Sequence, residues 1–126
     1  MKIPGLLFLA GHTARSQTYA QAMAHHGLEP ETVLLYGSVK RNAPESVRSR
    51  AREWKGLFLP DLDIGLIDTA RREGWSLIEE DCETTNHPRI SEHLERMEPE
   101  LVLFSGSGGL VGRDILRAIT ESCVRR

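Results

Sequence analysis

The sequence predicts an α/β domain with a doubly wound, mainly parallel, Rossmann-like sheet of about four strands and helices on both faces. Short apolar runs alternate along the chain with segments of helical periodicity. Glycines follow several of the apolar runs, where a strand passes into a loop or a helix. The stretch Leu101–Gly112 (LVLFSGSGGLVG) passes from an apolar run through a glycine-rich turn into a helix. Such a turn lies at the carboxyl edge of a parallel sheet, where open α/β folds bind ligands.

Length, composition and charge are those of a single globular domain. The chain has 126 residues, of which 40% are hydrophobic and 27% are charged. The formal net charge is −2, so no global field favours a nucleic acid or an anionic membrane, and we expect neither as a partner. The apolar run Ile3–Ala10 is too short to span a bilayer and lacks the features of a signal peptide.

Cysteine and histidine usage predicts no metal site. Cys82 and Cys123 lie far apart in sequence and form no ligand-spaced motif, which favours free thiols and a cytoplasmic protein. Of the five histidines, His25 and His26 are adjacent, and His87 and His93 have no ligand spacing. The chain also has no Gly-x-Ser-x-Gly nucleophile motif and no complete phosphate-loop pattern.

The first part of the chain predicts a β-α-β unit. The first strand covers Leu6–Ala10, and Ser16 is the expected N-cap of the helix that follows. That helix ends before Gly27, and the second strand covers Val33–Tyr36. The apolar positions predicted for its buried face are Tyr19, Ala20, Met23 and Ala24.

The most basic part of the chain is the segment Lys40–Arg52. Acidic residues are interleaved with the basic ones, which favours a solvated helix over about 45–54 rather than a nucleic-acid patch. Trp54 and the run Leu57–Leu59 are apolar enough to dock on the sheet or on a partner.

The second part repeats the alternation. A helix beginning at Leu66 ends at Gly74, and a short strand covers Ser76–Glu79. Asn86 is the expected cap of a helix with Pro88 in its first turn. The stripe predicted for the core face of this helix is Ile90, Leu94 and Met97, and that predicted for the last helix is Ile115, Leu116 and Ile119. Between these helices the apolar strand Leu101–Ser105 is expected to be buried on both faces.

Two loops carry the candidate site. The loop after the first strand places a histidine, hydroxyls and a guanidinium beside a helix N-terminus, a combination that suits an anionic group. Its residues are Gly11, His12, Thr13, Arg15 and Ser16. The glycine-rich loop comprises Ser105, Gly106, Ser107, Gly108, Gly109, Leu110 and Val111. The alternatives are a solvated turn at His12 and Arg15 and a tight connection without a ligand at the glycines.

Several motifs of the second half occur in the order found in one enzyme family. They are Gly74-Trp75-Ser76-Leu77-Ile78, Asn86-His87-Pro88, Leu94-x-x-Met97-x-Pro99-Glu100-Leu101 and Ile115-Leu116. On these residues the segment Gly74–Leu116 resembles the formyltransferase family, which includes methionyl-tRNA, glycinamide-ribonucleotide and sugar-amine formyltransferases. The first strand, its glycine and the following helix are similar to the beginning of the same family.

The resemblance implies a cofactor, a substrate and a missing part. The loop Ser105–Val111 would line the pterin pocket of 10-formyltetrahydrofolate, and the loop Gly11–Ser16 would face a small-molecule amine substrate. Family catalysis uses an Asn and a His on a fifth strand and a later Asp, and these residues have no counterpart here. We therefore expect residues 1–126 to be a single N-terminal domain truncated before the catalytic strand, inactive alone, with its last strand open to the missing half or to a second copy. A module binding a nucleotide or phosphorylated metabolite and a structural or interaction domain are the alternatives.

Overall fold

The computed structural model describes residues 1–37, 59–105 and 112–124. Strands and helices alternate through these ranges, which confirms the predicted α/β class. In chain order they are β1 (Lys2–Ala10), α1 (Ala14–His25), β2 (Glu29–Tyr36), α2 (Leu66–Glu73), β3 (Leu77–Glu80), α3 (Pro88–Met97), β4 (Leu101–Phe104) and α4 (Arg113–Val124).

The strands form one parallel sheet in the order β3-β2-β1-β4. The central strand is β1, in which Leu9 pairs with Leu34 of β2 on one side and with Phe104 of β4 on the other. The chain progresses outward from β1 to β3 and then returns to the opposite side of β1 for β4. Parallel α/β sheets usually bind their ligand in a crevice at such a reversal of direction, here between the carboxyl ends of β1 and β4.

The core consists of two clusters, one on each face of the sheet. Alternate side chains of β1 and β2 point to opposite faces, so each strand supplies both clusters. On one face Phe8 and Val33 are buried together with residues of α1 and α2, namely Ala20, Met23, Leu66 and Ala70. On the other face Leu9 and Leu34 are buried with residues of α3 and α4, namely Ile90, Leu94, Ile115 and Ala118. Helices therefore cover both faces, as a doubly wound sheet requires.

The predicted burial of β4 on both faces is wrong. Leu101 is 61% exposed and Phe104 is 37% exposed, because β4 lies at the edge of the described sheet. The predicted core face of α4 is wrong at Leu116, which is 53% exposed, whereas Ile115 is buried. Successive residues in a helix point about 100° apart, and the buried face of α4 follows Ile115 and Ala118 instead. Tyr19 of α1 is likewise exposed.

Two predicted helix caps are also displaced. The N-cap of α1 is Thr13, whose hydroxyl accepts from the Ser16 backbone N–H at 3.1 Å, and Ser16 itself is inside the helix. The N-cap of α3 is His87, whose Nδ1 accepts from the Arg89 backbone N–H, rather than Asn86. Asn86 and Ser16 have hydrogen-bond partners elsewhere, at the candidate site.

Parts of the sequence prediction fall outside the described residues. These are the basic segment Lys40–Arg52, the helix expected over about 45–54, and the apolar residues Trp54, Leu57 and Phe58. Among the helices that are described, none combines the length and apolar composition needed to cross a bilayer.

Candidate functional site

The candidate site lies at the carboxyl edge of the sheet, where all four strands end on the same side because they are parallel. Gly11 and His12 follow β1, Gly37 follows β2, and Ser105 follows β4. The loop from β3 to α3 brings Asn86 to this edge. The two loops predicted from the sequence therefore begin at neighbouring strand ends.

The loop after β1 forms a compact capped turn. The Thr13 N–H donates to the Gly11 carbonyl at 3.0 Å, and the Thr13 hydroxyl caps the first turn of α1. Gly11 is buried, His12 and Thr13 are half-buried, and Arg15 is exposed. Arg15 is in the first turn of α1, so its guanidinium and the positive end of the α1 dipole both follow directly after this short loop, an arrangement that favours an anionic ligand group.

His12 lies against Gly37, a residue that the sequence analysis did not identify. A Cβ atom at position 37 would be 3.1 Å from His12 Cδ2, and the φ of Gly37 is +109°. Glycine is therefore required at this position both for the backbone conformation and for the approach of the imidazole ring. The sequence signal for this contact was a glycine directly after the second strand.

A buried hydrogen-bond cluster joins α1 to the end of β4. The hydroxyls of Ser16 and Ser105 lie 2.8 Å apart, and the two residues are 0% and 1% exposed. Ser16 Oγ also lies 3.3 Å from the Ser105 carbonyl oxygen and accepts from the Gly11 N–H at 3.2 Å. One residue from each predicted loop is thus in direct contact, although neither side chain is open to solvent.

Most of the glycine-rich loop lies outside the described residues. Its predicted ligand-binding members Gly106, Ser107, Gly108, Gly109, Leu110 and Val111 all belong to that part. The two flanking residues are described. Ser105 contacts Ser16, and the Gly112 N–H donates to Asn86 Oδ1 at 2.5 Å. A Cβ at Gly112 would be only 2.6 Å from the same Asn86 oxygen, so glycine permits this close approach.

A charged cluster follows β3 on the face covered by α3. His93 Nε2 lies 2.6 Å from Glu80 Oε1, and Arg96 contacts His93 Nδ1. Because a guanidinium can only donate, Nδ1 is the accepting nitrogen and the Nε2–H donates to Glu80. This hydrogen bond lowers the pKa of Glu80 below its usual value, with a smaller contribution from Arg89. The imidazole is held between an anion and a cation.

Cys82 lies close to this cluster and is buried with a free thiol. Burial raises the pKa of the Cys82 thiol, and the charge of Glu80 raises it further. The thiol therefore stays protonated at neutral pH, which is unsuitable for a nucleophile or a metal ligand. No group of three or more His, Cys, Asp or Glu side chains in the described ranges could hold a metal ion.

The hydroxyls of Ser16 and Ser105 are buried, and their described partners include no imidazole or carboxylate that could act as a base. Arg15 is exposed and His12 is half-buried, and both are polar groups of the kind that recognise a polar or anionic molecule. A scan of protein-family models and a search of curated proteins both gave no match to the chain.

Proposed function

We propose that residues 1–126 are a formyltransferase-like domain that binds 10-formyltetrahydrofolate and a small-molecule amine substrate. The observation that supports this function best is the contact of 2.8 Å between the Ser16 and Ser105 hydroxyls. A one-carbon transfer requires donor and acceptor to meet, so the loops that hold them must begin close together. These two serines mark the ends of the two loops assigned by resemblance to the amine and to the folate.

In this proposal the two loops have separate tasks. The glycines after Ser105 let the backbone approach the pterin of the folate, since a side chain there would occupy the same space. The loop from Gly11 to Ser16 faces the amine substrate, with the half-buried His12 and the exposed Arg15 as its polar groups. The free thiol of Cys82 fits a reducing compartment, and we place the protein in the cytoplasm.

The catalytic groups come from outside residues 1–126 in this proposal. The family's chemistry needs an Asn and a His that stabilise the tetrahedral oxyanion and move protons. Asn86 and His87 are adjacent, but each side chain already has a structural role. Asn86 accepts from the Gly112 N–H, and His87 caps α3. We therefore expect this chain to bind ligands without transferring the formyl group.

Calorimetric titration of the 126-residue chain with 5-formyltetrahydrofolate, a stable relative of the cofactor, tests folate binding. We expect saturable binding that is abolished by Gly109→Val, because a branched side chain would exclude the pterin. Gly65→Val is the matched control, since Gly65 has an ordinary extended conformation at the N-cap of α2 and belongs to neither candidate loop. Absence of binding to the unmodified chain, or equal binding to both variants, would contradict the proposal.

A parallel titration with adenosine monophosphate and inorganic phosphate tests the alternative of a nucleotide- or phosphate-binding module. Binding of these ligands without binding of the folate would favour that alternative. Formyl transfer is assayed separately with 10-formyltetrahydrofolate and a panel of amines. We expect none from the isolated chain, and folate-dependent turnover would refute the assignment of catalysis to groups outside it.

We also propose that a second copy of the chain associates along the open side of β4. Leu101 and Phe104 are exposed on opposite faces of this strand, which is at the edge of the sheet formed by the described residues, and an apolar sheet edge favours pairing with another strand. Sedimentation across a wide concentration range should show dimers that Leu101→Lys abolishes and that Tyr19→Lys, at an exposed site on α1, does not. A single monomeric species at all concentrations would overturn this proposal and show that the edge of β4 is covered.

A further inference from the structure

We propose that Ser16 and Ser105 are positioning residues that set the separation of the β1 and β4 strand ends, and hence the width of the crevice between them. The ligand-related part of this inference rests on the proposed function, because it assumes that the folate binds in that crevice. The positioning itself rests on the hydrogen bonds alone. Neither side chain needs to touch a ligand for this role, and both are fully buried.

The hydrogen bonds that Ser16 Oγ accepts determine the residue to which its own proton is donated. A hydroxyl has one proton and two lone pairs. Ser16 Oγ accepts from the Gly11 N–H at 3.2 Å and from the Thr13 hydroxyl at 3.1 Å, which occupies both lone pairs. Its proton is therefore directed at Ser105, whose hydroxyl and carbonyl oxygens lie at 2.8 and 3.3 Å. The Ser16 hydroxyl links the end of β1, the cap of α1 and the end of β4.

The end of β4 has little else to hold it. This strand has four residues and pairs only with β1 in the described sheet. The Ser105 N–H donates to the Leu9 carbonyl at 3.1 Å and continues the pairing one residue past the strand. Phe104, directly before it, is partly exposed and so contributes less packing than a core residue. Among the described residues, the Ser16 hydroxyl is thus the side-chain contact that ties Ser105 to α1.

Backbone amide hydrogen exchange in the 126-residue chain tests the positioning role without a ligand. In Ser16→Ala, we expect the Ser105 amide to exchange about three- to tenfold faster, the factor that corresponds to loss of one neutral hydrogen bond. The Ser105 amide donates to Leu9 and not to Ser16, so its acceleration reports a displaced strand end. Ser16→Thr keeps the hydroxyl and should restore slow exchange.

Thr69→Ala is the matched control for general destabilisation. Thr69 is a fully buried hydroxyl residue of α2, and its side chain bonds to the Gly65 carbonyl, one turn earlier in the same segment. Exchange at Ser105 that is no faster in Ser16→Ala than in Thr69→Ala would overturn the positioning role. If Ser16→Ala does not fold, Ser105→Ala replaces it, with a smaller expected acceleration at position 105 because the carbonyl contact to Ser16 persists.

Titration of the same variants with 5-formyltetrahydrofolate tests the consequence for the ligand. We expect Ser16→Ala to raise the Kd about three- to tenfold, and Ser16→Thr and Thr69→Ala to leave it near the original value. A Kd in Ser16→Ala equal to that in Thr69→Ala would overturn the link between strand separation and ligand affinity. If the unmodified chain does not bind the folate, the proposed function fails, and the exchange experiment still decides the positioning role.

Discussion

The neighbouring strands β1 and β4 have almost the same apolar composition and very different burial. Leu6–Ala10 of β1 is buried at every position, whereas Leu101 and Phe104 of β4 are exposed. β1 pairs with a strand on each side and receives helices on both faces, while β4 pairs with β1 alone in the described sheet. The difference shows that an apolar run predicts a strand, but its place in the sheet decides how much apolar area is buried.

The two edges of the sheet also differ from each other. β4 presents apolar side chains, whereas β3 has the sequence LIEE, and its final Glu80 bonds to His93 of α3. Charged groups at a sheet edge discourage pairing with another chain, and an apolar edge favours it. This contrast makes β4, rather than β3, the edge at which we expect association.

The largest expected effect is the loss of stability when a phenylalanine of the central strand β1 is truncated. The comparison is the same truncation in the neighbouring strand β4. Phe8→Ala should reduce the free energy of unfolding by about 3–5 kcal/mol, because it leaves a cavity under a fully buried ring. Phe104→Ala should cost less than about 1.5 kcal/mol, because its ring is partly hydrated already. Urea unfolding of both variants measures the difference.

Both variants are measured at a protein concentration too low for association along β4, where similar losses would contradict the comparison. At higher concentrations the proposed association should increase the cost of Phe104→Ala, because stabilisation by a partner increases with concentration. Phe8→Leu serves as a milder control that retains most of the apolar volume.

A smaller effect is expected where β1 and β4 approach each other near their beginnings. Gly5 has a φ of +75°, its carbonyl accepts from the Glu100 N–H at 2.9 Å, and a Cβ would lie 3.0 Å from the Glu100 side chain. Gly5→Ala should therefore destabilise the protein by about 1–3 kcal/mol through strain and crowding. Gly27→Ala should cost about 1 kcal/mol, since Gly27 has a φ of +69° but open space around it. Thermal unfolding measures the loss of stability in the two variants. Equal losses would mean that the contact with Glu100 adds nothing to the cost of backbone strain.

The smallest expected effect concerns the charged end of β3. The pKa of Glu80 is lowered because the folded state stabilises its carboxylate through His93. This contribution to stability is present above the ordinary pKa of 4.5 and is lost as the pH falls through the lower pKa of the folded state. The stability advantage of the unmodified chain over Glu80→Gln should therefore decrease as the pH falls below the ordinary pKa of Glu80.

Chemical unfolding at a series of pH values measures that advantage. Glu79→Gln, on the same strand and exposed, is the matched control. The same pH dependence in both variants would contradict a specific interaction of Glu80 with His93.

Local features that depend on nearby residues were predictable from the sequence. Gly74 closes α2 with a φ of +72°, and Pro88 is in the first turn of α3, both as predicted. Ile90 and Leu94 are buried as expected from their helical spacing. The candidate loops were also located correctly at strand ends, because a strand, a glycine and a helix in succession define such an end without tertiary information.

The contacts between distant residues were not predictable in the same way. Serine is a residue type typical of an N-cap, yet the Ser16 hydroxyl bonds to Ser105. Asn86 likewise accepts from Gly112 instead of capping α3. A side chain that can bond to its own backbone predicts a cap, but a partner brought near by the fold competes for the same atom. The approach of His12 to Gly37 likewise depends on the ends of β1 and β2 lying side by side.

The sequence by itself determined the alternation of strands and helices and most positions at which they end, because periodicity and glycine or proline act within a few residues. Only the tertiary structure decided that β1 is central and β4 is at the edge, since both runs are apolar and strand order is set by packing over the whole domain. It also decided which polar side chains meet at the carboxyl ends of the strands. Those contacts depend on the return of the chain to the side of β1 opposite to β2, and no local sequence pattern encodes that return.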